Sequence, residues 1–209
     1  MEHILIPARH GSKGLPLKNR VLVPELLKKL DAVGLSSKVI LSTDDEWLQN
    51  LDFNIKVRNR PKHIANDTAT MRSVLVDIVE HYNLNKNDSI MTLYPTYPER
   101  TYKDICKFLD FYYDNNLNSA LCKKDVKTHP FMCLIENEIY SKSLIDHDLY
   151  RRQEYPKCFE ISHFICASKV FEIQNLNNQL FNDKTGFYKI CDKIDVDQQT
   201  DLNKWRKKQ

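Results

Sequence analysis

The densest set of chemistry-bearing residues lies near the start of the chain, in Arg9-His10-Gly11-Ser12-Lys13-Gly14-Leu15-Pro16-Leu17-Lys18-Asn19-Arg20. Only four glycines occur in 209 residues, and Gly11 and Gly14 are two of them. Glycine lets consecutive backbone N–H groups turn toward an anion at close range. Arg9, Lys13 and Lys18 add the positive charge that a polyphosphate requires, and Ser12 adds a hydroxyl donor. The spacing is neither that of a Walker A loop nor that of the Gly-x-Gly-x-x-Gly fingerprint. The competing reading is a solvated basic turn. Position argues against it, because the stretch follows an apolar run, and open α/β sheets bind ligands at the carboxyl ends of their strands. Other candidates are weaker by themselves. Asp195-Val196-Asp197 alone reads as a surface pair of carboxylates. His163, in an apolar run, and His129, before Pro130, read as structural histidines before they read as bases.

The elements that must position these residues follow from periodicity. His3-Ile4-Leu5-Ile6-Pro7 is a short apolar run that predicts a buried strand ending at the basic loop. Val23 to Leu35 carries Leu26, Leu27, Leu30 and Val33 at helical spacing with Gly34 near its end, which predicts a helix. Lys38 to Leu41 predicts a second strand, followed by Ser42-Thr43-Asp44-Asp45, which can cap a helix bearing Trp47 and Leu48. Phe53 to Val57 alternates as a third strand, and Met71 to Tyr82 is an amphipathic helix. Ser89 to Leu93 predicts the most strongly buried strand, Tyr102 to Tyr113 a helix, and Ala120 to Cys122 a further strand. This alternation predicts a doubly wound, mostly parallel α/β sheet. Periodicity then weakens. Pro130 to Ile135, Phe159 to Cys166 and Tyr188 to Ile194 read as strands, and Thr200 onward as a terminal helix. Residues 124–155 are the natural candidate for an insertion or dimer arm within a single domain spanning 1–209.

Composition excludes several classes. Hydrophobic residues make up 42% and charged residues 28%, which is ordinary globular composition, and the net charge is only +3. No long Lys/Arg block suggests a nucleic-acid surface. The six cysteines (106, 122, 133, 158, 166 and 191) contain no CxxC pair and no metal spacing, so we expect reduced, mostly buried thiols of a cytoplasmic protein. A strand starting within three residues of the N-terminus leaves no room for a signal peptide, and no apolar run reaches membrane-spanning length. Trp47, Trp205 and Phe111-Tyr112-Tyr113 are expected to be packing residues.

Ile6-Pro7-Ala8-Arg9-His10-Gly11-Ser12-Lys13-Gly14-Leu15-Pro16-Leu17-Lys18-Asn19 closely resembles the signature of the acylneuraminate cytidylyltransferases, the CMP-sialic acid synthetases and their relatives. Further segments resemble family motifs in the same order: Leu41-Ser42-Thr43-Asp44-Asp45, Arg60-Pro61 through Ala65-Asn66-Asp67-Thr68, Leu93-Tyr94-Pro95-Thr96-Tyr97-Pro98-Glu99-Arg100, and Asp192-Lys193-Ile194-Asp195-Val196-Asp197. The resemblance implies a Rossmann-like nucleotidyltransferase fold with a small dimerisation arm. It also implies a reaction in which the anomeric hydroxyl of a 2-keto sugar acid attacks the α-phosphorus of CTP and pyrophosphate leaves. Ala8, Arg9, Gly11, Ser12, Lys13, Lys18, Asn19, Arg60 and Asp67 would bind the nucleotide, with Arg9, Lys13, Lys18 and Asp195 in catalysis. Asp195 and Asp197, two apart on a strand, would share Mg²⁺. Tyr94, Thr96, Arg152, Glu160 and Ser162 would face the sugar acid. A homodimer is implied, in which Arg152 serves the partner's pocket.

The sequence departs from the family pattern on the acceptor side. Tyr94 stands where the family has glutamine, and Glu160-Ile161-Ser162-His163 replaces an Arg-Pro-Asn-Gly run. An arginine replaced by glutamate reverses the local charge, worth a few kcal/mol at contact distance with an effective dielectric near 20. N-acetylneuraminate is therefore expected to be a poor acceptor. Met71 stands where a small polar residue would meet the base, with Thr70 able to substitute, and the chain is short between its first two strands. Alternative readings are a nucleotide-sugar glycosyltransferase using Asp195-Val196-Asp197, a sugar-phosphate nucleotidyltransferase (whose Gly-x-Gly-Thr-Arg-Leu type of loop is missing), and a degenerate nucleotide-binding homologue.

Overall fold

The computed structural model describes residues 1–11 and 14–208. Seven strands form one sheet in the order β3-β2-β1-β4-β8-β5-β9. They are β1 (His3–Pro7), β2 (Val39–Thr43), β3 (Lys56–Asn59), β4 (Ser89–Thr92), β5 (Ser119–Asp125), β8 (Phe159–Lys169) and β9 (Gly186–Lys189). All neighbours run parallel except at β8, which is antiparallel to both β4 and β5. The helices are α1 (Lys18–Asp31), α2 (Glu46–Gln49), α3 (Met71–Tyr82), α4 (Tyr102–Asp114) and α5 (Gln199–Arg206).

Strand alternation sorts the core into two layers. Ile4 and Ile6 of β1 pack with Val23, Leu26 and Leu27 of α1 and with Ile105 and Phe108 of α4. Leu5 points to the other face, toward Val74, Leu75 and Ile78 of α3. A third, small cluster joins Leu22, Val196, Leu202 and Trp205, and so docks α5 against the segment that carries Asp195 and Asp197.

Several boundaries differ from the periodicity reading, each for a physical reason. Helix α1 starts at Lys18, five residues before Val23, and carries Pro24 in its interior. Its polar first turn has no apolar periodicity to announce it, because Lys18, Asn19 and Arg20 all take tertiary partners. The third strand lies at Lys56–Asn59 instead of 53–57, and its residues are only partly covered at the sheet edge. Pro130–Met132 is a 3₁₀ turn capped by His129, not a strand; the hairpin β6 (Leu134–Asn137) and β7 (Tyr140–Ser143) follows as a separate sheet. The expected strand 188–194 is only β9 at its start. Beyond Lys189 the chain stays without a ladder and is held by single bonds: Ile190 N–H to the Lys123 carbonyl, Ile194 N–H to Glu99 Oε2, and Val196 N–H to the Thr96 carbonyl. Asp195 and Asp197 thus lie on no strand.

Two expectations about burial are corrected. Only Cys122 and Cys166 are buried; Cys106, Cys133 and Cys158 are partly covered and Cys191 is exposed. Trp205 packs as expected, but Trp47 and Tyr113 are about half exposed.

Candidate active site

A cleft of about 240 Å³ opens at the carboxyl ends of β1 and β4. Arg9, Lys18, Asn19, Arg60, Asp67, Tyr94 and Thr96, all expected from the sequence, line it together with an apolar floor of Ile64, Met71, Val74 and Pro95. Ala8 is fully buried beside it, its N–H donating to the Ser42 carbonyl. Gly11 takes a φ of +77°, a conformation that favours glycine. Ser12 and Lys13 lie outside the described residues.

The β1–α1 loop is tied back on itself. Asn19 Nδ2 donates to the Arg9 carbonyl at 2.9 Å, and Arg9 meets Asp67 at 2.5 Å. Asn66 shapes the neighbouring turn by accepting from Thr68 N–H, the Thr68 hydroxyl and Ala69 N–H. Lys18 Nζ donates to Asp197 Oδ1 at 2.7 Å and to the Val196 carbonyl at 3.2 Å, so α1 begins against the acidic segment. That approach is close: a Cβ on Gly14 would stand 2.5 Å from the Asp197 carbonyl oxygen.

Arg60 is the most distinctive cation. It is 5% exposed, and among the described residues its guanidinium donates only to uncharged oxygens of Ser42, to Oγ at 3.1 Å and to the carbonyl at 2.9 Å. Burial pushes it down to about 10, opposed in part by the charge of Asp44. Burial likewise pushes the Tyr94 phenol up. The Tyr94 ring lies 5.7 Å from that of His163, whose Nε2 meets the Gln179 carbonyl, consistent with a structural histidine.

Sequence reasoning missed the loop after β4 as an organising element. Arg100, 2% exposed, donates through Nε to the Phe164 carbonyl and through Nη2 to the Tyr94 carbonyl, fixing that loop to β8. Its guanidinium lies over the rings of Phe164 and Tyr97. Burial pushes Arg100 down to about 10. The same loop places the acidic segment through the Thr96 carbonyl. Burial raises the Tyr97 phenol, and its hydroxyl is faced by both Asp195 and Ser162. A signal existed in the Leu-Tyr-Pro-Thr-Tyr-Pro-Glu-Arg run, but nothing local tells that its last arginine is buried.

The remaining expected residues sit apart from this cleft. Ser162 is buried under Tyr97, whereas Glu160 is exposed at the start of β8, with its carboxylate 3.4 Å from Lys124. Arg152 is exposed on a 3₁₀ turn in the 124–155 segment. A second cleft, of about 370 Å³, runs past Asp195 toward α5, and its lysines are matched by acids, as in Lys208–Glu99 and Lys204–Asp201. Among the described residues no group of three or more His, Cys, Asp or Glu stands together to hold a metal ion, and no helix is long and apolar enough to cross a membrane.

The family model described as Cytidylyltransferase matches residues 3–204. The chain belongs to the cytidylyltransferase family. Within it, the chain is 27% identical over 208 residues to an N-acylneuraminate cytidylyltransferase of Streptococcus agalactiae serotype V (strain ATCC BAA-611 / 2603 V/R), covering 94% of this chain and 50% of that one. It is also 27% identical over 217 residues to post-translational flagellin modification protein B of Campylobacter coli, covering 94% and 90%. The chain spans about half the length of the curated Streptococcus relatives it matches. Among solved structures, its fold resembles a CMP:2-keto-3-deoxy-manno-octonic acid synthetase complexed with CTP, at a TM-score of 0.67, 19% identity and coverage of 98% and 96%. It also resembles a 4-diphosphocytidyl-2C-methyl-D-erythritol synthase from Anaerococcus prevotii DSM 20548, at a TM-score of 0.60, 14% identity and coverage of 99% and 99%. These neighbours establish the cytidylyltransferase fold: a mostly parallel sheet flanked by helices.

Proposed function

We propose that this family member transfers CMP from CTP to the anomeric hydroxyl of a 2-keto sugar acid and releases pyrophosphate. The observation that carries the reading is the convergence of Arg9, Lys18 and a buried Arg60 on one cleft, to whose rim Lys18 ties Asp197. Among the described residues this guanidinium has no carboxylate partner, so its burial carries a desolvation penalty that the Ser42 bonds only offset, as expected of a group kept for binding. The names of the Streptococcus relative and of the CTP-bound structural neighbour both refer to 2-keto sugar acids, which supports this acceptor class.

In this reading the acceptor's hydroxyl oxygen bonds to the α-phosphorus as the bond to the bridging oxygen of pyrophosphate breaks, and the hydroxyl proton leaves through Asp195. Such a transfer needs charge neutralisation and in-line positioning more than covalent help. Arg9, Ser12, Lys13, Lys18 and Asn19 neutralise and orient the triphosphate, with Ala8 and Gly11 supplying backbone; Arg60 and Asp67 fix the nucleoside. Tyr94 and Thr96 border the acceptor, with Ser162 behind Tyr97. Asp195 and Asp197 offer an oxygen-only donor set that fits a hard cation such as Mg²⁺, and two carboxylates leave the rest of its shell to water and phosphate oxygens. When bound, the ion would supply phosphate charge neutralisation and activation of the acceptor hydroxyl.

The 124–155 arm carries Ile139, Tyr140 and Tyr150 at 80% exposure or more. We assign that surface to a second copy of the chain, with Arg152 reaching the partner's acceptor pocket. The substitutions at Tyr94 and Glu160 select against N-acetylneuraminate. The test is pyrophosphate release with Mg²⁺, each of four ribonucleoside triphosphates and a panel of 2-keto sugar acids, with Asp195→Asn as the blank. Release that requires CTP and one acceptor supports the proposal. CTP binding with no release from any acceptor replaces it with a nucleotide-binding role, and robust transfer to N-acetylneuraminate at micromolar concentration overturns the selectivity.

A further inference from the structure

We infer that Asp45 is a positioning residue that draws the two ends of the triphosphate loop together, using His10 at one end and Arg20 at the other. The inference rests on the assignment of that loop to CTP phosphates made above.

Three observations carry it. First, Asp45 is committed: its side chain is 3% exposed, and it accepts four donors. These are Trp47 N–H at 3.0 Å, Arg20 Nε at 2.9 Å, Arg20 Nη2 at 3.0 Å and His10 Nδ1 at 3.2 Å. Only the first is the cap of α2 that its local sequence predicts. The others come from the far side of a chain reversal, 25 and 35 residues away. Second, the donors bracket the loop. His10 precedes Gly11, and Arg20 lies in the first turn of α1, so one carboxylate holds both margins of the stretch between them. The His10 backbone N–H adds a 2.6 Å bond to Asp44 Oδ1, which fixes the imidazole's own position. Third, the Arg20 pairing is bidentate, the geometry in which a guanidinium fork holds a carboxylate in a set plane. With its fork spent on Asp45, Arg20 anchors the loop instead of meeting phosphate.

A loop rich in glycine has many conformations, and each must be given up when phosphate binds. Holding its ends in advance removes part of that entropic cost, so the clamp acts on phosphate affinity and not on the chemistry. The effect belongs to the β- and γ-phosphates, and CMP, which lacks both, should be indifferent to it.

The experiment measures dissociation constants for CTP and CMP, with Mg²⁺, by calorimetry on the full chain, its His10→Ala and Asp45→Asn variants, and the double variant, with melting temperatures alongside. His10→Ala removes only the exposed arm of the clamp, and so remains informative should Asp45→Asn fold poorly. We expect CTP affinity to fall about tenfold in Asp45→Asn and about threefold in His10→Ala, the scale of losing hydrogen bonds to a charged group. The double variant should be no weaker than Asp45→Asn, since His10 acts through Asp45. CMP affinity should stay within about twofold throughout, because a hydrogen-bond-sized loss confined to the phosphate loop cannot reach it. Parallel losses for CTP and CMP would show a merely structural residue and overturn the inference, as would unchanged CTP affinity in both single variants. Wild-type protein that binds no CTP would instead bring down the loop's assignment to phosphate, and the clamp with it.

Discussion

Replacing Arg60 with methionine separates a residue kept for binding from one kept for stability. Burial pushes the guanidinium down from its ordinary value to about 10, which corresponds to about 3 kcal/mol of penalty on its charged form. Against that relief stand two lost hydrogen bonds to Ser42, worth about 1.5 kcal/mol each at the low end for a charged donor. The Ser42 carbonyl is not orphaned, since it keeps the Ala8 N–H at 2.9 Å. Methionine retains the apolar stem of the side chain and its packing. The terms nearly cancel, so urea unfolding should place Arg60→Met within about 1 kcal/mol of wild type, a melting shift of about 2–4 °C for this size. CTP affinity, measured by calorimetry on the same sample, should fall at least thirtyfold, about 2 kcal/mol. A loss of about 3–5 kcal/mol of stability, as when a buried ion pair is broken, would make Arg60 structural and refute the reasoning. So would unchanged CTP affinity in a stable variant.

Three other expectations follow from single contacts. Gly14→Ala places a Cβ 2.5 Å from the Asp197 carbonyl oxygen, a backbone atom that cannot swing aside; turnover should fall more than tenfold (a misplacement of the order of 1 Å is enough), and steady-state kinetics at wild-type-like stability would check it. Asp45 is held at about 2 by its Arg20 and His10 bonds against the opposing effect of burial; its contribution is full above its ordinary 3.8 and is lost as pH falls toward 2, so wild type should lose urea resistance in that window faster than Asp45→Asn, and equal slopes would contradict the shift. Ile139→Glu with Tyr140→Glu alters side chains 88% and 80% exposed in one chain; if the proposed pairing holds, light scattering should report a dimer for wild type and a monomer for the variant at unchanged melting temperature, and a wild-type monomer or a dimeric variant would overturn that assignment.

The parts of this molecule legible from sequence were those with local causes. The run His3–Pro7 announces a buried strand because its neighbours are uniformly apolar, and α3 announces itself through an apolar stripe ending at Asn83, which takes the left-handed conformation. Arg9 and Lys18 were legible because loop chemistry follows strand ends; Asn19, Arg60, Asp67, Tyr94 and Thr96 were expected only from the family resemblance, and the fold brings all seven to one cavity. What stayed hidden has long-range causes. The start of α1 is set by Asp197, the Arg9 carbonyl and Asp45, none of which a window of neighbouring residues contains. The direction of β8 is set by its pairing with β4 and β5, and an apolar strand reads the same in either direction. The acidic segment looked like a strand because Ile194 and Val196 alternate with exposed acids, yet it forms no ladder: the Ile194 and Val196 N–H groups go to Glu99 and Thr96, and Lys18 holds Val196 and Asp197.

Charge on the acceptor side shows the same limit in energetic form. From sequence, Glu160 in place of arginine is a full reversal, a change of two unit charges. In the fold, its carboxylate lies 3.4 Å from Lys124, which also meets Asp192 at 3.2 Å, and Lys127 stands 3.7 Å from Asp192. Two acids and two lysines leave that corner neutral. An arginine at position 160 would leave the same corner at +2, so an anionic acceptor there loses attraction but meets no net repulsion. Selectivity against a carboxylate at this corner then depends on Lys124 staying with its two acids, because a lysine stem can swing away from an exposed partner at little cost. Tyr94 has no such freedom. Partly buried in the wall of the cleft with its backbone carbonyl held by Arg100, it shapes the site where glutamine stands in the family pattern. In the proposed reading, shape at Tyr94, more than charge at Glu160, is therefore the feature expected to set which sugar acid fits.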